Sequence, residues 1–239
     1  MSMANVQVVG TERNRLLQML PATEYERLLS QTETVCLPVK TVLYEAGEPI
    51  THVYFPQSGV ISLVNVMSDG GVVEVGTVGN EGMAGLPVFL GAASSPTKAF
   101  SQVEGSAKRI EAPAFRHAID EREELRTVLQ RYTQALMSQM AQSVACNRLH
   151  TVEERLARWL LMTHDRAGTD QLALTQEFLS DMLGVRRAGV TVAAGALQKA
   201  GLISYRRGKI TVLDRLGLEE ASCECYRIVK SHFDRLLAV

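Results

Sequence analysis

The chain has 239 residues, of which 46% are hydrophobic, and a formal net charge of −1. This length is sufficient for one large or two modest domains, each with a substantial core. The sequence has no run approaching the roughly 20 apolar residues of a membrane-spanning helix, and its N-terminus lacks the long apolar stretch of a targeting segment. We therefore expect a cytoplasmic protein that has no membrane partner.

The cysteines and histidines are scattered along the chain and do not predict a metal site. The four cysteines are too few for a disulfide framework and lack the paired C-x-x-C spacing of zinc sites. We expect reduced thiols, with Cys36 and Cys146 in the core and Cys223 and Cys225 near the C-terminus. The histidines, interpreted as surface or satisfied core residues, are His52, His117, His150, His164 and His232.

Common catalytic motifs are absent from the sequence. It has no Gly-rich phosphate loop followed by Lys, no His-Glu-x-x-His and no Gly-x-Ser-x-Gly elbow. Because no nucleophile is paired with a base, we predict a protein that is not an enzyme, with no catalytic residues and no evident cofactor.

The N-terminal part of the chain predicts a helical lead-in followed by a β-rich domain. Residues 11–31 carry leucines at helical spacing, interrupted by Pro21. From residue 33 to residue 111, short β-branched segments alternate with Gly-rich turns. The predicted strands span 34–37, 41–44, 52–55, 60–67, 72–78, 99–103 and 107–111. This regular spacing is typical of an antiparallel barrel or jelly roll, and we assign residues 1–118 to that domain.

A long amphipathic helix is predicted between residues 119 and 147. Its apolar positions recur every three or four residues: Leu125, Leu129, Tyr132, Leu136, Met140 and Val144. This stripe packs either on the chain's own barrel or on the same helix of a second subunit, as in a short coiled coil. We predict the second arrangement, with the first five residues at the dimer interface. The dimerisation helix and its hinge then occupy 119–148.

The remaining residues, 149–239, predict a helical domain that contains a helix-turn-helix motif. One helix is expected at 152–164, and a last helix at 218–237 is expected to pack on the wing or the barrel. Between them, residues 175–199 show two sets of apolar residues at helical spacing, joined by a turn at Gly184. Thr175 is a suitable N-cap residue for the first of these two helices.

Positive charge is concentrated in this motif, although the whole chain is nearly neutral. Between residues 182 and 210 all charged residues are basic: Arg186, Arg187, Lys199, Arg206, Arg207 and Lys209. An Arg at the start of a recognition helix can bind two acceptors of guanine in the major groove. Residues 201–205 and 210–213 flank a basic turn and predict a β-hairpin wing that lies over phosphates.

The order of barrel, long helix and winged helix-turn-helix resembles the Crp/Fnr family of bacterial transcription regulators. The closest local matches are VEERLARWLLMTHDR at 152–166 and the span from Thr175 through Gly184 to 201–203. The resemblance implies an α+β fold with a cyclic-nucleotide-binding-like β-roll. It also implies a homodimer that binds a palindromic operator in double-stranded DNA when an effector reorients the reading heads. RNA polymerase is a further partner that the resemblance suggests.

Only part of the family's set of base-contacting residues is present in this sequence. The family's base-reading positions, an Arg-Glu pair and a further Arg, correspond here to Arg187, Ala188 and Val192. Only Arg187 keeps its chemistry, so we predict a different operator. The residues predicted to contact bases or the DNA backbone are Thr175, Gln176, Arg186, Arg187, Gly189, Thr191, Arg206, Arg207 and Lys209.

The effector pocket departs from the nucleotide-binding members of the family, which carry a Gly-Glu-Leu cassette and an Arg for the cyclic phosphate. The corresponding residues here are Glu81, Gly82, Met83, Ala84, Gly85, Thr97 and Lys98. They offer neither a carboxylate at the ribose position nor an Arg. A cyclic nucleotide is therefore disfavoured as effector. An iron–sulfur centre is disfavoured as well, since no cysteine precedes Cys36.

A different class of function stays open at this stage. The barrel can be the active part of a cyclic-nucleotide- or small-molecule-binding module whose ligand controls DNA binding or a protein partner. The basic stretch between Arg186 and Lys209 distinguishes the two, because only a DNA-binding regulator requires it.

Overall fold

The computed structural model describes residues 14–237. Two short helices open it, α1 (Arg15–Gln18) and α2 (Ala22–Leu29). Asn14 caps α1 by accepting a hydrogen bond from the backbone N–H of Leu17, and Pro21 separates the two helices. The predicted helical lead-in is therefore confirmed from residue 14 onward, whereas its positions 11–13 lie outside the described residues.

A β-roll of seven antiparallel strands follows, as the sequence predicts. Its strands are β1 (Glu33–Leu37), β2 (Val42–Tyr44), β3 (His52–Pro56), β4 (Val60–Val66), β5 (Val72–Val78), β6 (Lys98–Val103) and β7 (Gly105–Glu111). One sheet has the order β1-β7-β3 and the other the order β2-β6-β4-β5. A short helix, α3 (Leu86–Phe89), interrupts the strands and was not predicted, because four residues carry too little periodicity to be recognised.

The predicted long helix is two helices. Helix α4 (Ala112–Glu121) packs under the roll, where Phe115 contacts Phe55 with ring centroids 5.9 Å apart. Arg122 then adopts an extended backbone conformation, and α5 (Glu123–Leu149) begins. The Arg122 guanidinium pairs with the Glu24 carboxylate of α2 at 3.2 Å. This buried pair fixes the break between α4 and α5, so the helix that we expected from residue 119 begins at Glu123.

Most of the apolar stripe of α5 packs against the protein's own chain, whereas Val144 at its C-terminal end is exposed. Leu125, Leu129, Tyr132 and Leu136 are buried within the protomer, and Met140 is partly buried. Of the five residues predicted at the dimer interface, four are therefore covered by the protein's own chain, and only Met140 is partly accessible. Helix α5 remains helical through Leu149, and the chain leaves helical geometry at His150.

The C-terminal domain begins with α6 (Val152–Ala167). Thr151 and Glu154 form a capping box at its start, and Gly168 ends it in a left-handed conformation with φ +64°. The helix-turn-helix and its wing follow as β8 (Gln171–Ala173), α7 (Gln176–Leu183), α8 (Arg187–Lys199), β9 (Ile203–Arg206) and β10 (Lys209–Val212). The unpredicted strand β8 pairs with β10 and completes a three-stranded sheet of order β8-β10-β9.

The predicted last helix at 218–237 is also divided in two. Helices α9 (Arg215–Ala221) and α10 (Cys225–Leu236) are separated by residues 222–224. Helix α10 packs on α5 and α6 and not on the wing or the barrel. Its apolar face, which includes Tyr226 and Phe233, is buried there.

No helix in the described part of the chain is long and apolar enough to cross a membrane.

Candidate DNA-binding surface and effector domain

The two helices of the motif are held at a fixed angle by a shared core and by their caps. The Thr175 hydroxyl accepts a hydrogen bond from the Phe178 N–H at 3.1 Å, which is the predicted N-cap. Gly184 ends α7 with φ +61°, a conformation that disfavours side chains with a Cβ. Leu179 of α7 and Val190 of α8 are both fully buried in the seam between the helices. The seam leaves the opposite face of α8 exposed.

That exposed face begins with two arginines and continues with small side chains. Arg186 is the N-cap residue of α8 and Arg187 its first residue, and both are exposed. Ala188 and Thr191 are exposed as well, and Val192 is 74% exposed. An ideal Cβ at Gly189 or at Gly195 would meet no atom within 4 Å. The backbone of α8 is thus accessible to a close partner along the whole face.

A polar network links the two helices at this surface. The side-chain carbonyl of Gln176 accepts hydrogen bonds from Arg187 Nε at 3.4 Å and from Thr191 Oγ1 at 3.1 Å. The sequence assigned all three residues to the DNA interface without predicting that they touch. Gln176 therefore orients the Arg187 guanidinium from the neighbouring helix, which limits its rotamer freedom before any ligand binds.

The wing is a two-residue hairpin locked to the motif. Its turn residues Arg207 and Gly208 have φ values of +52° and +75°, as the favoured hairpin turns require. The Tyr205 hydroxyl donates to the Leu174 carbonyl oxygen at 3.0 Å. The Tyr205 N–H donates to the side chain of Gln198 in α8 at 2.7 Å. These bonds hold the wing against the recognition helix.

Three basic side chains occupy the tip of the wing. Arg206 and Lys209 are directly opposite each other in the strand register, and both are exposed, as is Arg207. Among the described residues no carboxylate forms a salt bridge with any of them. These three sequence-predicted basic residues thus lie together, exposed, at the tip of the wing.

The effector cassette, in contrast, is enclosed, because the protein's own side chains pack against it. Met83 and Ala84 are 0% and 1% exposed, and the backbone of Ala84 pairs with that of Tyr54. A Cβ at Gly82 would overlap the ring of Tyr132. The Tyr132 hydroxyl donates to the Met83 carbonyl oxygen at 2.9 Å, so this ring closes the space from the side of α5.

The remaining polar groups of the cassette have partners within the chain. Glu81 is 6% exposed and accepts from Arg166 Nε at 2.8 Å. Lys98 Nζ donates to the Glu45 carboxylate at 2.9 Å, and the Thr97 and Ser95 hydroxyls lie 2.7 Å apart. The fold therefore brings Glu81–Gly85 together at the roll's edge with α5, but it leaves none of their polar side chains unpaired.

Buried polar contacts connect the roll to the DNA-binding domain. Trp159 Nε1 of α6 donates to the Glu74 carboxyl at 2.7 Å, and Gln102 of β6 donates to Thr163 at 3.2 Å. Burial raises the pKa of Glu74 to about 7, against the hydrogen bonds from Ser62 and Trp159 that lower it. The Ser62 hydroxyl has one proton but two acceptors, Glu74 at 2.7 Å and Gln102 at 2.5 Å. A protonated Glu74 resolves that shortage of donors.

Arg166 is the most connected residue of this junction. Besides Glu81, its guanidinium donates to the Met162 carbonyl at 2.8 Å and to Gln139 of α5 at 3.5 Å. It also lies 6.0 Å from the ring centroid of Phe233 in α10. One buried side chain thus touches the roll, the long helix and the C-terminal domain.

The fold also brings together cysteine and histidine residues that are far apart in the sequence. Cys146, His150, Cys223 and Cys225 bring their ligating atoms within 4.8 Å of one another. The interpretation of His150 as an unclustered residue is therefore wrong, since folding joins positions far apart in the chain. Cys36, which we expected in the core, is exposed, whereas Cys146 is buried as predicted.

Comparison with known families agrees with this two-domain organisation. A model described as a cyclic nucleotide-binding domain matches residues 34–122, and one described as a Crp-like helix-turn-helix domain matches residues 154–221. Together they cover about two thirds of the chain. No curated protein matches the sequence.

Solved structures share the fold at low sequence identity. A Crp/Fnr-family transcriptional regulator from Eubacterium rectale is 18% identical, with a TM-score of 0.68 over 86% of this chain and 96% of its own. FixK2 from Bradyrhizobium japonicum is 19% identical, with a TM-score of 0.68 over 80% and 98%. The c-di-GMP-responsive regulator CLP from Xanthomonas campestris is 16% identical, with a TM-score of 0.67 over 80% and 99%.

The fold and the exposed basic motif define a DNA-binding transcription regulator with a cyclic-nucleotide-binding-type domain, and not an enzyme. Both family models occur in the order that the resemblance implied, and the neighbouring structures have the same architecture. The chain belongs to the Crp/Fnr family of transcriptional regulators.

Proposed function

We propose that this regulator acts in the cytoplasm as a homodimer on a palindromic operator, with α8 in the major groove and the wing on the adjacent phosphates. The observation that carries this proposal is the exposed face of α8, which begins with Arg186 and Arg187 and continues with the short side chains of Ala188, Thr191 and Val192. A helix with this face can enter the groove, which is about 12 Å wide, without removing any of its own packing.

Within this surface, Arg187 reads a base and Arg186 contacts a base or a phosphate. Gln176 supports this assignment because it holds Arg187 from the side at 3.4 Å and leaves the end of the guanidinium available. A bidentate contact of Arg with guanine contributes roughly 1–3 kcal/mol of discrimination. Arg206, Arg207 and Lys209 contribute affinity that depends on salt but not on sequence.

The experiment is selection of binding sites from a random duplex library at one stated salt concentration, followed by titration of the selected duplex. Arg187→Ala should weaken binding by about 1–3 kcal/mol and relax the preference at one position of each half-site. Arg116→Ala, an exposed position on α4, serves as the control that removes the same charge far from the motif. Equal affinities of the two variants would remove the main support for α8 as the reading element.

The dimer forms through the face of α5 that points away from the roll. Met137 and Val144 are 61% and 72% exposed, and Ala141 lies between them on the same face. Gln130 and Gln134 extend the stripe toward the N-terminus, so exposed positions recur at spacings of four, three, four and three residues. This spacing is that of a coiled-coil seam, and two-fold pairing would present two copies of α8 to two half-sites.

Met137→Glu tests the seam by placing a charge at its centre. The variant should have the mass of one chain by light scattering, where the wild type has the mass of two, and it should lose the selected operator. Arg116→Glu makes the same kind of charge change at an exposed position of α4, outside the seam, and should stay dimeric. A wild-type monomer at micromolar concentration would contradict the proposal.

The operator is bound without cyclic AMP. The filled space beside Gly82 and the engagement of Glu81 by Arg166 support this part of the proposal. Site selection with and without cyclic AMP should recover the same palindrome, and calorimetric titration with the nucleotide should show no heat of binding. Recovery of the site only when cyclic AMP is present would overturn it. RNA polymerase remains a predicted partner, to be tested by transcription from a promoter that carries the selected site.

A further inference from the structure

A cluster of three cysteines and a histidine lies where the long helix meets the end of the C-terminal domain. Cys146 and His150 are one turn apart at the end of α5, and Cys223 and Cys225 flank Glu224 at the start of α10. The three cysteines are at most 4% exposed. Elements that are separated by more than 70 residues in the chain therefore converge on one small volume.

Two distances within the cluster are close to the edges of a tetrahedral zinc site, and all four ligand atoms lie within 4.8 Å of one another. Cys146 Sγ and Cys223 Sγ are 3.6 Å apart, and Cys225 Sγ lies 3.5 Å from His150 Nδ1. With Zn–S near 2.3 Å and Zn–N near 2.05 Å, a tetrahedron has S···S edges of about 3.8 Å and S···N edges of about 3.6 Å. We propose that Cys146, His150, Cys223 and Cys225 bind one Zn²⁺ ion as a four-ligand structural site.

The surroundings of the ligands fit a metal as well. His150 Nε2 lies 3.2 Å from the Glu224 carboxylate, which selects the tautomer whose Nδ1 lone pair points into the cluster. Gln142 Nε2 donates to Cys225 Sγ at 3.0 Å, a bond that stabilises a thiolate. Thiolate and imidazole ligands select zinc over Mg²⁺ or Ca²⁺, which prefer oxygen.

Two buried arginines balance the charge of such a site. Arg155 and Arg158 are each 7% exposed, and their Nε atoms have no hydrogen-bond partner. No described carboxylate forms a salt bridge with either, yet both lie within electrostatic range of the Cys146 thiol. Three thiolates and one Zn²⁺ carry a net charge of −1. The complex would offset part of the arginines' charge, whereas three neutral thiols would offset none of it.

The position of the site gives it a structural role. His150 is the last residue before the capped start of α6, so a metal bound there ties the end of α5 directly to the loop before α10. All four positions of the tetrahedron are filled by the protein, which is typical of structural and not of catalytic zinc. Bound metal would restrict the hinge and fix how the C-terminal domain sits on the long helix.

The test uses the full chain, purified under reducing conditions without chelator or added metal. Elemental analysis should find about one zinc per chain in the wild type and in Cys36→Ser, whose exposed thiol is outside the cluster. Cys223→Ser and Cys225→Ser should lose the metal. Exchange of the wild-type metal for Co²⁺ should give the visible absorption of tetrahedral cobalt–thiolate coordination, a readout that survives even if the variants fail to fold.

Three outcomes would overturn the proposal. A metal-free protein with four titratable thiols that gives no cobalt spectrum would show that the cluster does not bind metal. A metal-free protein with only two titratable thiols after removal of the reductant would indicate that the cluster forms a disulfide and not a metal site. Zinc retained unchanged in folded Cys223→Ser and Cys225→Ser would place the ion elsewhere.

Discussion

The predicted DNA-binding surface and the predicted effector cassette differ in exposure. The sequence assigned both by position. Arg187 and Thr191 face outward on α8, with open space above Gly189 and Gly195. In the cassette, Glu81 and Gly82 face Arg166 and Tyr132. The first surface is thus open to a partner, whereas the residues of the cassette pack against the protein's own side chains.

The difference also shows how the two domains are coupled. The groups that fill the cassette come from α5 and α6, so the roll is held by the same helices that carry the DNA-binding motif. Arg166 contributes directly to this coupling, because its side chain contacts the roll, α5 and α10. Variants at the junction should therefore have larger effects than variants on the exposed surface.

Arg166→Ala should give the largest effect. The substitution leaves the Glu81 carboxylate buried without its partner, and breaking a buried pair in this way costs roughly 3–5 kcal/mol of unfolding free energy. Urea unfolding at pH 7.5, about physiological, measures the loss. Arg227→Ala, an exposed position on α10, should change the stability by less than about 0.5 kcal/mol. Similar curves for the two variants would mean that the pair does not join the domains.

Glu74, at the junction of the two domains, should make the free energy of unfolding depend on pH. Burial raises its pKa from 4.5 to about 7, so the folded state binds this proton more tightly than the unfolded state. The favourable contribution is fully present below about pH 4.5 and is lost as pH rises through 7. At about 1.4 kcal/mol per pKa unit, the upper limit is roughly 3 kcal/mol.

Glu74→Gln isolates this contribution, because the amide can donate to Ser62 and accept from Trp159 as the protonated carboxyl does. Unfolding free energies between pH 5 and pH 8, about the window set by the shifted pKa, should fall less steeply in the variant than in the wild type. Glu153→Gln, at an exposed position of α6, should retain the wild-type slope. Identical slopes in all three proteins would contradict a protonated Glu74.

Tyr132→Phe should have a smaller effect that is confined to the cassette. It removes the donor to the Met83 carbonyl, and an unsatisfied buried carbonyl costs about 1–3 kcal/mol. The ring remains, so the variant should still not bind cyclic AMP. Tyr25→Phe is the matched control, since the Tyr25 hydroxyl has no hydrogen bond in the described part of the chain. A nucleotide-binding Tyr132→Phe would show that the ring does not close the site.

The sequence analysis was most accurate where its signals come from residues that are close together in the chain. The strands of the roll were placed within two residues of their observed bounds, because β-branched residues mark the strands and the turns at 47–49, 57–59, 69–71 and 79–82 separate several of them. The caps at Thr175 and Gly184 were likewise local and correct. The periodicity of α5 identified an apolar face but not what covers it, since the roll and a second subunit demand the same spacing. The cysteine cluster was missed because its ligands meet only after folding.

The smallest effect concerns α8 itself and separates stability from DNA binding. Gly189→Ala and Gly195→Ala should each raise the unfolding free energy by about 0.5–1 kcal/mol, because Ala is the better helix former and its methyl group meets no atom within 4 Å. If the backbone of α8 approaches the DNA closely, Gly189→Ala should nevertheless weaken operator binding. A more stable protein with a weaker complex would assign the glycine to recognition. Unchanged affinity in both variants would remove Gly189 from the contact surface and leave the arginines to carry it.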